Sequence, residues 1–412
     1  MLWIESPPFP TRARRGKLEA MPETFVIVGA SLAGTTAAET LRAEGFEGRV
    51  LLIGEEERLP YERPPLSKGL LLGDADPFLH PESWYADQRI ELRLGERVEE
   101  LDLAAKRVHG VAYDKLLLAT GSRPRRLPGD ALSLRNYDDA LRLKEIVSGG
   151  GRLTIIGSGW IGLEVAAAAR QRDVAVTVIT PETVPLQNVL GTKVGAVFAD
   201  LHRAHGVDFR FGSGVEAITG TAVRLTGGST VDGDHVLVAI GAAPDIELAA
   251  RAGLAADAGV LVDAHHRTSD PSVFAAGDIA SVDHPLYGTR IRVEHWANAL
   301  DSGPAAARSM LGRGTPWTRI PYFFTDQYDL GMEYAGTLEP GAELIVRGDL
   351  AKRECIVFWV LDGRVTAGMN INVWDVTDQI QALITAGFTG HRVDVARLAD
   401  PAVPLPDLLP GD

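Results

Sequence analysis

Two glycine-rich segments each follow an apolar strand pattern and precede a helical pattern. The first is Gly29-Ala-Ser31-Leu32-Ala33-Gly34, after residues 25–28, and the second is Gly157-Ser-Gly159-Trp160-Ile161-Gly162, after residues 153–156. Unpaired backbone N–H groups at the start of a helix attract phosphate, and glycine lets the phosphate approach the backbone. The first segment has Ser31 at the middle glycine, where a hydroxyl can bond a phosphate oxygen. A single such loop is weak evidence, but two in one chain predict two dinucleotide sites.

The residue that ends the strand after each loop usually reads the ribose of the bound nucleotide. After the first loop this residue is Glu55, whose carboxylate suits a 2′-hydroxyl group. After the second loop it is Thr180, which is neutral, and Glu182 follows two residues later. No Arg or Lys occurs within residues 181–188 to bind a 2′-phosphate. NADH is therefore favoured at the second site, and NADPH is possible.

Strand and helix patterns alternate around both loops, as βαβ units require. Helical patterns cover residues 35–43 and 163–170, and apolar strands at 116–121 and 236–241 end in Gly121 and Gly241. From about residue 321 the pattern changes to alternating, aromatic-rich stretches. We therefore predict an α/β protein with two Rossmann-like dinucleotide-binding domains and a C-terminal α+β domain with an antiparallel sheet. The predicted boundaries are 21–128 with 245–320 for the first dinucleotide-binding domain, 129–244 for the second and 321–412 for the C-terminal domain.

Composition excludes several classes of function. The net charge of −14 argues against nucleic-acid binding, and no apolar run reaches the roughly 18–20 residues of a membrane span. The single cysteine, Cys355, lies in a strand pattern and cannot form a redox disulfide within the chain, so we expect a buried structural residue and a cytoplasmic protein. We predict no metal site. Residues 1–20 are basic and differ from the rest, which predicts a disordered extension or a true start at Met21.

Five ordered motifs resemble one family. They are Leu59-Pro-Tyr-Glu-Arg-Pro-Pro-Leu-Ser-Lys68, Ala119-Thr120-Gly121, the run from Thr268 to Asp278, Arg292-Val-Glu-His-Trp-Ala-Asn298 and Phe324-Thr-Asp-Gln-Tyr-Asp329. Together they resemble the ferredoxin reductases of oxygenase systems. These are FAD enzymes of the glutathione-reductase structural class, related to putidaredoxin reductase, rubredoxin reductase and apoptosis-inducing factor. The resemblance extends from Phe25 nearly to the C-terminus.

The resemblance implies roles for particular residues at the flavin. Arg63 is expected to hold the FAD diphosphate, and Lys68 is expected to lie near flavin N5, paired with Glu164. Asp278 is expected to meet the ribityl and phosphate region. The remaining residues expected to contact FAD are Val98, Ala119, Thr120, Gly121, Arg126, Arg135, Gly277, Glu294, His295 and Trp296. Because a buried lysine needs an anionic partner, the ion pair between Lys68 and Glu164 is a sharp structural expectation.

The implied activity is electron transfer. NADH would deliver a hydride to FAD, and single electrons would pass to a two-iron two-sulfur ferredoxin that serves an oxygenase or a cytochrome P450. The protein would be a monomer or a homodimer. Such ferredoxins are generally acidic, so Arg290, Arg292 and Arg319 are candidates for the docking surface.

Two alternatives share this fold. One is an NADH oxidase or quinone reductase, and the other is an NADH-responsive signalling flavoprotein. The sequence also departs from the family at two positions. Phe324 stands where many relatives have Trp, so shielding of the nicotinamide can differ, and Thr180 replaces a common acidic residue.

Overall fold

The computed structural model describes residues 23–73 and 75–410. The predicted extension at residues 1–20 and the suggested start at Met21 lie outside the described residues. The described chain contains the two parallel sheets and the C-terminal antiparallel sheet that the sequence predicts, so the predicted fold class is confirmed. No helix in the two described ranges is long and apolar enough to cross a membrane.

The first glycine loop lies within a parallel sheet. Residues 24–124 form β1 (Thr24–Val28), α1 (Leu32–Ala43), β2 (Arg49–Ile53), α2 (Gly69–Leu72), α3 (Glu82–Asp87), β3 (Ile90–Arg93), β4 (Leu101–Asp102), β5 (Arg107–Val108), β6 (Val111–Ala112), β7 (Lys115–Leu118) and β8 (Ser122–Pro124). Strands β1, β2, β3 and β7 pair in parallel, with β1 between β2 and β7. Their apolar side chains, including Ile27, Leu52 and Leu117, are buried against α1.

The second glycine loop lies in a similar unit. Residues 137–244 form α4 (Tyr137–Gly149), β9 (Arg152–Ile156), α5 (Trp160–Arg170), β10 (Ala175–Ile179), α6 (Gln187–Ala204), β11 (Asp208–Arg210), β12 (Val215–Thr219), β13 (Ala222–Leu225), β14 (Thr230–Asp232), β15 (His235–Val238) and β16 (Ala242–Pro244). The parallel sheet has the order β11-β10-β9-β15. Helix α5 is rich in buried alanine, which lets it pack closely on this sheet.

The chain then returns to the first sheet. Residues 247–310 form α7 (Glu247–Arg251), β17 (Val260–Val262), β18 (Val273–Ala275), β19 (Ala280–His284), β20 (Thr289–Arg292) and α8 (Trp296–Met310). Strand β18 pairs in parallel with β7 and completes the five-stranded sheet. Helix α8 packs on α1 at Gly303, where a Cβ atom would lie 2.2 Å from the carbonyl oxygen of Ala33. Because β18 shares a sheet with β1 and β7, two separate stretches of chain are expected to form one FAD-binding domain.

The C-terminal part is an antiparallel sheet covered by helices. Residues 322–399 form β21 (Tyr322–Gln327), β22 (Leu330–Gly336), β23 (Glu343–Asp349), β24 (Glu354–Leu361), β25 (Arg364–Ile371), α9 (Thr377–Phe388) and α10 (Val395–Ala399). The sheet order is β21-β22-β25-β24-β23. Cys355 lies in β24 and is buried in the core, as predicted. The domain boundaries near 128, 245 and 320 remain predictions.

Both helices that follow the glycine loops begin earlier than the sequence predicts. Helix α1 begins at Leu32 rather than residue 35, and α5 begins at Trp160 rather than residue 163. The apolar pattern could not reveal this, because the last residues of each loop already have helical backbone conformation. Their N–H groups therefore belong to the first helical turn and point into the loop.

Candidate functional site

The first glycine of each loop is required by its backbone and its neighbours. Gly29 has φ +116° and Gly157 has φ +108°, which are conformations that L-residues rarely adopt. A Cβ atom on Gly29 would lie 2.1 Å from the carbonyl oxygen of Ala119, and one on Gly157 would lie 2.3 Å from that of Ala239. Both strands β7 and β15 therefore approach the loops too closely for a side chain.

The last glycine of each loop lets the helix approach the loop. A Cβ atom on Gly34 would lie 2.0 Å from the carbonyl oxygen of Gly29, and one on Gly162 would lie 2.4 Å from that of Gly157. The middle positions differ from these, because the Cβ of Gly159 would meet no atom within 4 Å. Ser31 is the N-cap residue directly before α1, and its hydroxyl makes no capping hydrogen bond, so it can bond a ligand.

A single cavity of about 1,010 Å³ runs between the two loops. It is lined by most residues that the sequence predicts to contact FAD, namely Gly29, Ser31, Leu32, Ala33, Glu55, Arg63, Lys68, Val98, Ala119, Thr120, Gly121, Arg126, Arg135, Gly277, Asp278, Glu294, His295 and Trp296. On the NAD side it is lined by Gly159, Trp160, Ile161 and Gly241. The predicted residues outside the lining are Gly34, Gly157, Gly162, Thr180 and Glu182, and the first three shape the loops instead.

Lys68 and Glu164 meet on the wall of this cavity. The Lys68 Nζ atom lies 2.9 Å from Glu164 Oε1, and their side chains are only 18% and 4% exposed. The predicted contact is therefore present, across nearly a hundred residues of chain. The Lys68 Nζ atom also lies 5.5 Å from the ring centroid of Phe324, which adds a cation–π contact.

Glu164 has two further hydrogen-bond donors that the sequence analysis did not identify. The Ser67 hydroxyl donates to Oε2, and the Thr325 hydroxyl donates to Oε1 at 2.6 Å. Both residues lie within motifs that carry the family resemblance, and this was the signal by which the sequence could have identified them. With three donors, a nearly fully buried carboxylate is well satisfied.

A second charged cluster lies beside the first loop. Arg135 Nη2 lies 2.9 Å from Asp278 Oδ2, and Arg63 donates to the backbone carbonyl of Arg135. Arg63 also pairs with Glu56 at 3.0 Å, a partner that the sequence analysis did not identify. Burial lowers the pKa of Arg135, as does the nearby Arg63, while Asp278 opposes the shift. The predicted residues Arg63, Arg135 and Asp278 are thus brought together.

Glu55 lies two residues beyond the end of β2, slightly later than the predicted strand end, and it is held by two arginines. Its carboxylate accepts hydrogen bonds of 2.9 Å from Arg97 and from Arg123. Arg123 also pairs with Asp245 at 2.8 Å. The sequence offered no signal for these contacts, because the partners come from distant segments.

Aromatic rings form another wall of the cavity. His295 lies 4.8 Å from Phe323, and Trp296 lies 6.1 Å from Phe324, measured between ring centroids. Burial lowers the pKa of His295 to about 4, against an opposing effect of Asp278, so its ring is neutral at pH 7. Trp296 is partly buried and begins α8, so the indole faces the cavity from the start of that helix.

Thr180 and Glu182 are arranged differently from the usual ribose-reading pattern. Thr180 is fully buried, and its hydroxyl accepts from Ser158 at 2.9 Å and donates to the Glu182 carboxylate. Asn188 donates to the other Glu182 oxygen at 2.9 Å. Thr180 therefore supports the carboxylate of Glu182, which is the more accessible of the two residues.

Comparison with known proteins agrees with this geometry. Residues 23–303 match the model of the pyridine nucleotide-disulphide oxidoreductase family, and residues 322–409 match the reductase C-terminal model. The chain belongs to the pyridine nucleotide-disulphide oxidoreductase family. It is 39% identical to the anthranilate 1,2-dioxygenase system ferredoxin–NAD(+) reductase component of Burkholderia cepacia, covering 94% of this chain and 99% of the relative.

Putidaredoxin reductase and its solved structure are also similar to this chain. The Pseudomonas putida protein is 36% identical, covering 94% of this chain and 97% of the relative. The crystal structure of the covalent putidaredoxin reductase–putidaredoxin complex superposes with a TM-score of 0.88 at 34% identity, covering 94% of this chain and 98% of that chain. The similarity therefore includes the C-terminal sheet as well as both dinucleotide-binding units.

The cavity lining fits the dinucleotides that this family name implies. Several buried polar atoms on its wall have no hydrogen-bond partner among the described residues, namely Ser122 Oγ, Arg135 Nε, His295 Nδ1 and Trp296 Nε1. Buried polar atoms without partners are costly, so their position on the wall of the cavity fits a polar ligand. The described residues contain no group of three or more His, Cys, Asp or Glu side chains that could hold a metal ion.

The three arginines proposed for ferredoxin docking differ in availability. Arg290 donates to the backbone carbonyls of Val262 and Ser281, and Arg292 pairs with Glu294. Arg319 is 70% exposed, and its contact with Asp301 is long at 3.8 Å. Arg319 has the least constrained guanidinium of the three, and the docking role of all three remains a prediction.

Proposed function

We propose that this protein is an FAD-dependent NADH:ferredoxin reductase. It passes single electrons to a two-iron two-sulfur ferredoxin that serves an oxygenase or a cytochrome P450. The observation that carries the proposal is one cavity with a glycine loop at each side and the Lys68–Glu164 pair between them. The names of the similar proteins support the ferredoxin as acceptor. The cytoplasmic location and a monomeric or homodimeric state belong to the same proposal.

The first loop and the arginine cluster would bind FAD. The N-terminus of α1 offers its N–H groups and the positive end of its dipole to the diphosphate. Arg63 adds positive charge, and Asp278, held by Arg135, orients the ribityl region. Glu55, fixed by Arg97 and Arg123, would accept hydrogen bonds from the ribose hydroxyls. Bound FAD supplies the chemistry of accepting a hydride and releasing its electrons one at a time.

The Lys68–Glu164 pair provides the electrostatics of the reaction. A cation that is fixed in a partly dehydrated site stabilises negative charge that develops on a neighbouring group. Lys68 keeps a fixed position because Glu164 accepts its hydrogen bond, and Glu164 is itself held by Ser67 and Thr325. His295, neutral at pH 7, adds a polar edge without adding charge. The hydride step requires no side-chain acid or base.

The second loop would bind NADH, with Glu182 as the group that discriminates against NADPH. Its carboxylate, held by Thr180 and Asn188, can accept from a ribose 2′-hydroxyl and repels a 2′-phosphate. Replacing Glu182 with Gln is expected to reduce the preference for NAD⁺ over NADP⁺ about tenfold, or about 1.4 kcal/mol. The preference is measured as the ratio of the two dissociation constants by titration calorimetry. Glu216→Gln is the control, because Glu216 is exposed and pairs with Arg224.

A result in which Thr180→Ala changes that ratio more than Glu182→Gln would contradict this assignment. Thr180→Ala removes the support of the carboxylate but leaves its charge, so it should have the smaller effect. Both variants should retain FAD, because neither residue lies near the first loop.

The function itself is tested by reducing the purified flavoprotein with NADH in a stopped-flow instrument. A two-iron two-sulfur ferredoxin is then added, with cytochrome c as the final acceptor. Rapid bleaching of the flavin and cytochrome reduction only when ferredoxin is present are the expected results. Rapid oxygen consumption or quinone reduction without ferredoxin would instead identify an oxidase or a quinone reductase. Slow reaction with every acceptor would favour a signalling flavoprotein.

A further inference from the structure

A chain of buried hydrogen bonds continues outward from Glu164. Thr325 donates to Glu164 Oε1 at 2.6 Å, and Gln327 Nε2 donates to Thr325 Oγ1 at 3.2 Å. Gln327 Oε1 lies 2.8 Å from His202 Nε2. All four side chains are at most 4% exposed. This series of hydrogen bonds joins α5, β21 and α6, and through it the second dinucleotide unit contacts the C-terminal sheet.

Each member of this chain has a fixed direction. A threonine hydroxyl has one hydrogen, and because Gln327 donates to Thr325 Oγ1, that hydrogen points to Glu164. The same orientation of the amide places Gln327 Oε1 toward His202. His202 must therefore carry its hydrogen on Nε2, a tautomer inferred from the bonding pattern.

The surroundings of His202 keep it neutral and in this tautomer. Its ring faces Gln327 and the Tyr328 hydroxyl, which lies 3.5 Å from Nδ1, and it also contacts Phe209 and lies near His205 on the same helix. None of these four groups carries a negative charge. Burial lowers the pKa of His202 to about 4, although its bond to Gln327 opposes the shift. A neutral ring has one N–H, which the bond to Gln327 uses.

Reversing the chain would remove a hydrogen bond from Glu164. If the Gln327 amide turned over, its oxygen would accept the Thr325 hydrogen and the hydroxyl would present a lone pair to the carboxylate. A buried carboxylate that loses a donor is destabilised in its charged form. The Lys68 ammonium group would then face a less stable anion, and Glu164 is the partner that fixes its position.

We propose that Gln327 and His202 are positioning residues for the Lys68–Glu164 pair. They hold the Thr325 hydroxyl as a hydrogen-bond donor to Glu164 and so stabilise the negative charge opposite Lys68. The inference rests on the proposed function, because the effect reaches the reaction only through Lys68. The inference also means that the contact between α6 and the C-terminal sheet influences the reduction potential of the bound flavin.

The test compares Thr325→Val, Gln327→Met and the double variant as FAD-loaded holoenzymes. Thr325→Val should slow flavin reduction by NADH about tenfold, the effect of losing one hydrogen bond to a charged group. Gln327→Met should slow it in the same direction but less, because the Thr325 hydroxyl stays but is no longer oriented by the amide. A tenfold change in the reduction equilibrium lowers the midpoint potential of FAD by about 30 mV for a two-electron couple. The dissociation constant for NAD⁺ should stay within about twofold. Because Gln327 acts through Thr325, the double variant should match Thr325→Val.

Two substitutions of His202 provide a rescue test. His202→Gln places an amide nitrogen near the position of Nε2 and should keep the wild-type potential, whereas His202→Phe should reproduce the Gln327→Met shift. Asn370→Leu is the matched control. It removes another buried amide of the same sheet, which donates to Glu333 at 3.0 Å and is not part of the Glu164 chain. This control should lower thermal stability without changing the potential.

Two results would overturn the proposal. One is a wild-type potential and rate in Gln327→Met, and the other is an effect of Gln327→Met that adds to that of Thr325→Val. Measuring the flavin potential of Lys68→Met in the same experiment separates a failure of the positioning role from a failure of the ion-pair role. If Lys68→Met changes the potential and Gln327→Met does not, only the positioning role fails. If Lys68→Met also has no effect, the proposed role of the ion pair fails with it.

Discussion

Replacing Gly29 with alanine is expected to give a protein that does not retain FAD. The new Cβ atom would lie 2.1 Å from the carbonyl oxygen of Ala119 and 3.1 Å from the nitrogen of Thr120, at a backbone φ of +116°. Either the loop or the segment after β7 must move, and both line the cavity in which we propose that FAD binds. We expect affinity for FAD to fall at least about 100-fold, or about 2.7 kcal/mol. The ratio of flavin to protein absorbance after gel filtration measures the loss.

Gly45→Ala is the matched control for this variant. Gly45 also has a positive φ, +82°, but it lies in an exposed turn after α1, and a Cβ atom there would meet nothing within 4 Å. Its cost should be limited to the backbone strain of about 1–2 kcal/mol, with full FAD content. If Gly29→Ala retained FAD as well as Gly45→Ala does, the close approach of β7 to the loop would not be essential for binding.

Removing the Lys68 cation is expected to slow flavin reduction by NADH about 100-fold. Lys68→Met keeps most of the side-chain volume but takes away the charge that we propose stabilises the product of hydride transfer. A loss of this size corresponds to about 2.7 kcal/mol of transition-state stabilisation. The rate of flavin bleaching in a stopped-flow experiment measures it, and the dissociation constant for NAD⁺ should change little because the second loop provides that affinity.

Glu164→Gln tests the partner of the same pair. It keeps the shape of the side chain but removes the anion that compensates the lysine, and only one of the two oxygens that accept from Ser67 and Thr325 remains an acceptor. We expect a decrease of about tenfold or more in the reduction rate, and the double variant should resemble Lys68→Met alone. Lys352→Met is the control, because Lys352 is 74% exposed and its contact with Asp349 is 3.9 Å. Independent, additive effects of the two site variants would contradict their action as one pair.

The sequence by itself determined the two dinucleotide units and the main residues of the cavity. Glycine loops between a strand and a helix have a local physical cause, because only a short loop at the start of a helix exposes N–H groups to a phosphate. The pairing of Lys68 with Glu164 was also predictable, since a buried ammonium group needs an anion and the resemblance supplied the candidate. The change from apolar strands to alternating ones after residue 321 predicted the antiparallel C-terminal sheet.

The tertiary structure alone decided which groups support those residues. Thr180 stands where a ribose-reading residue is expected, yet it is buried and holds Glu182 instead. Gln327 and His202 are 125 residues apart and meet only because β21 packs beside α6. Hydrogen-bond partners of this kind depend on the distances between packed elements, and residue type and local spacing carry no information about those distances. The sequence therefore determines which class of ligand the loops can bind. Tertiary packing determines which hydrogen-bond partners hold the charged side chains of the cavity in place.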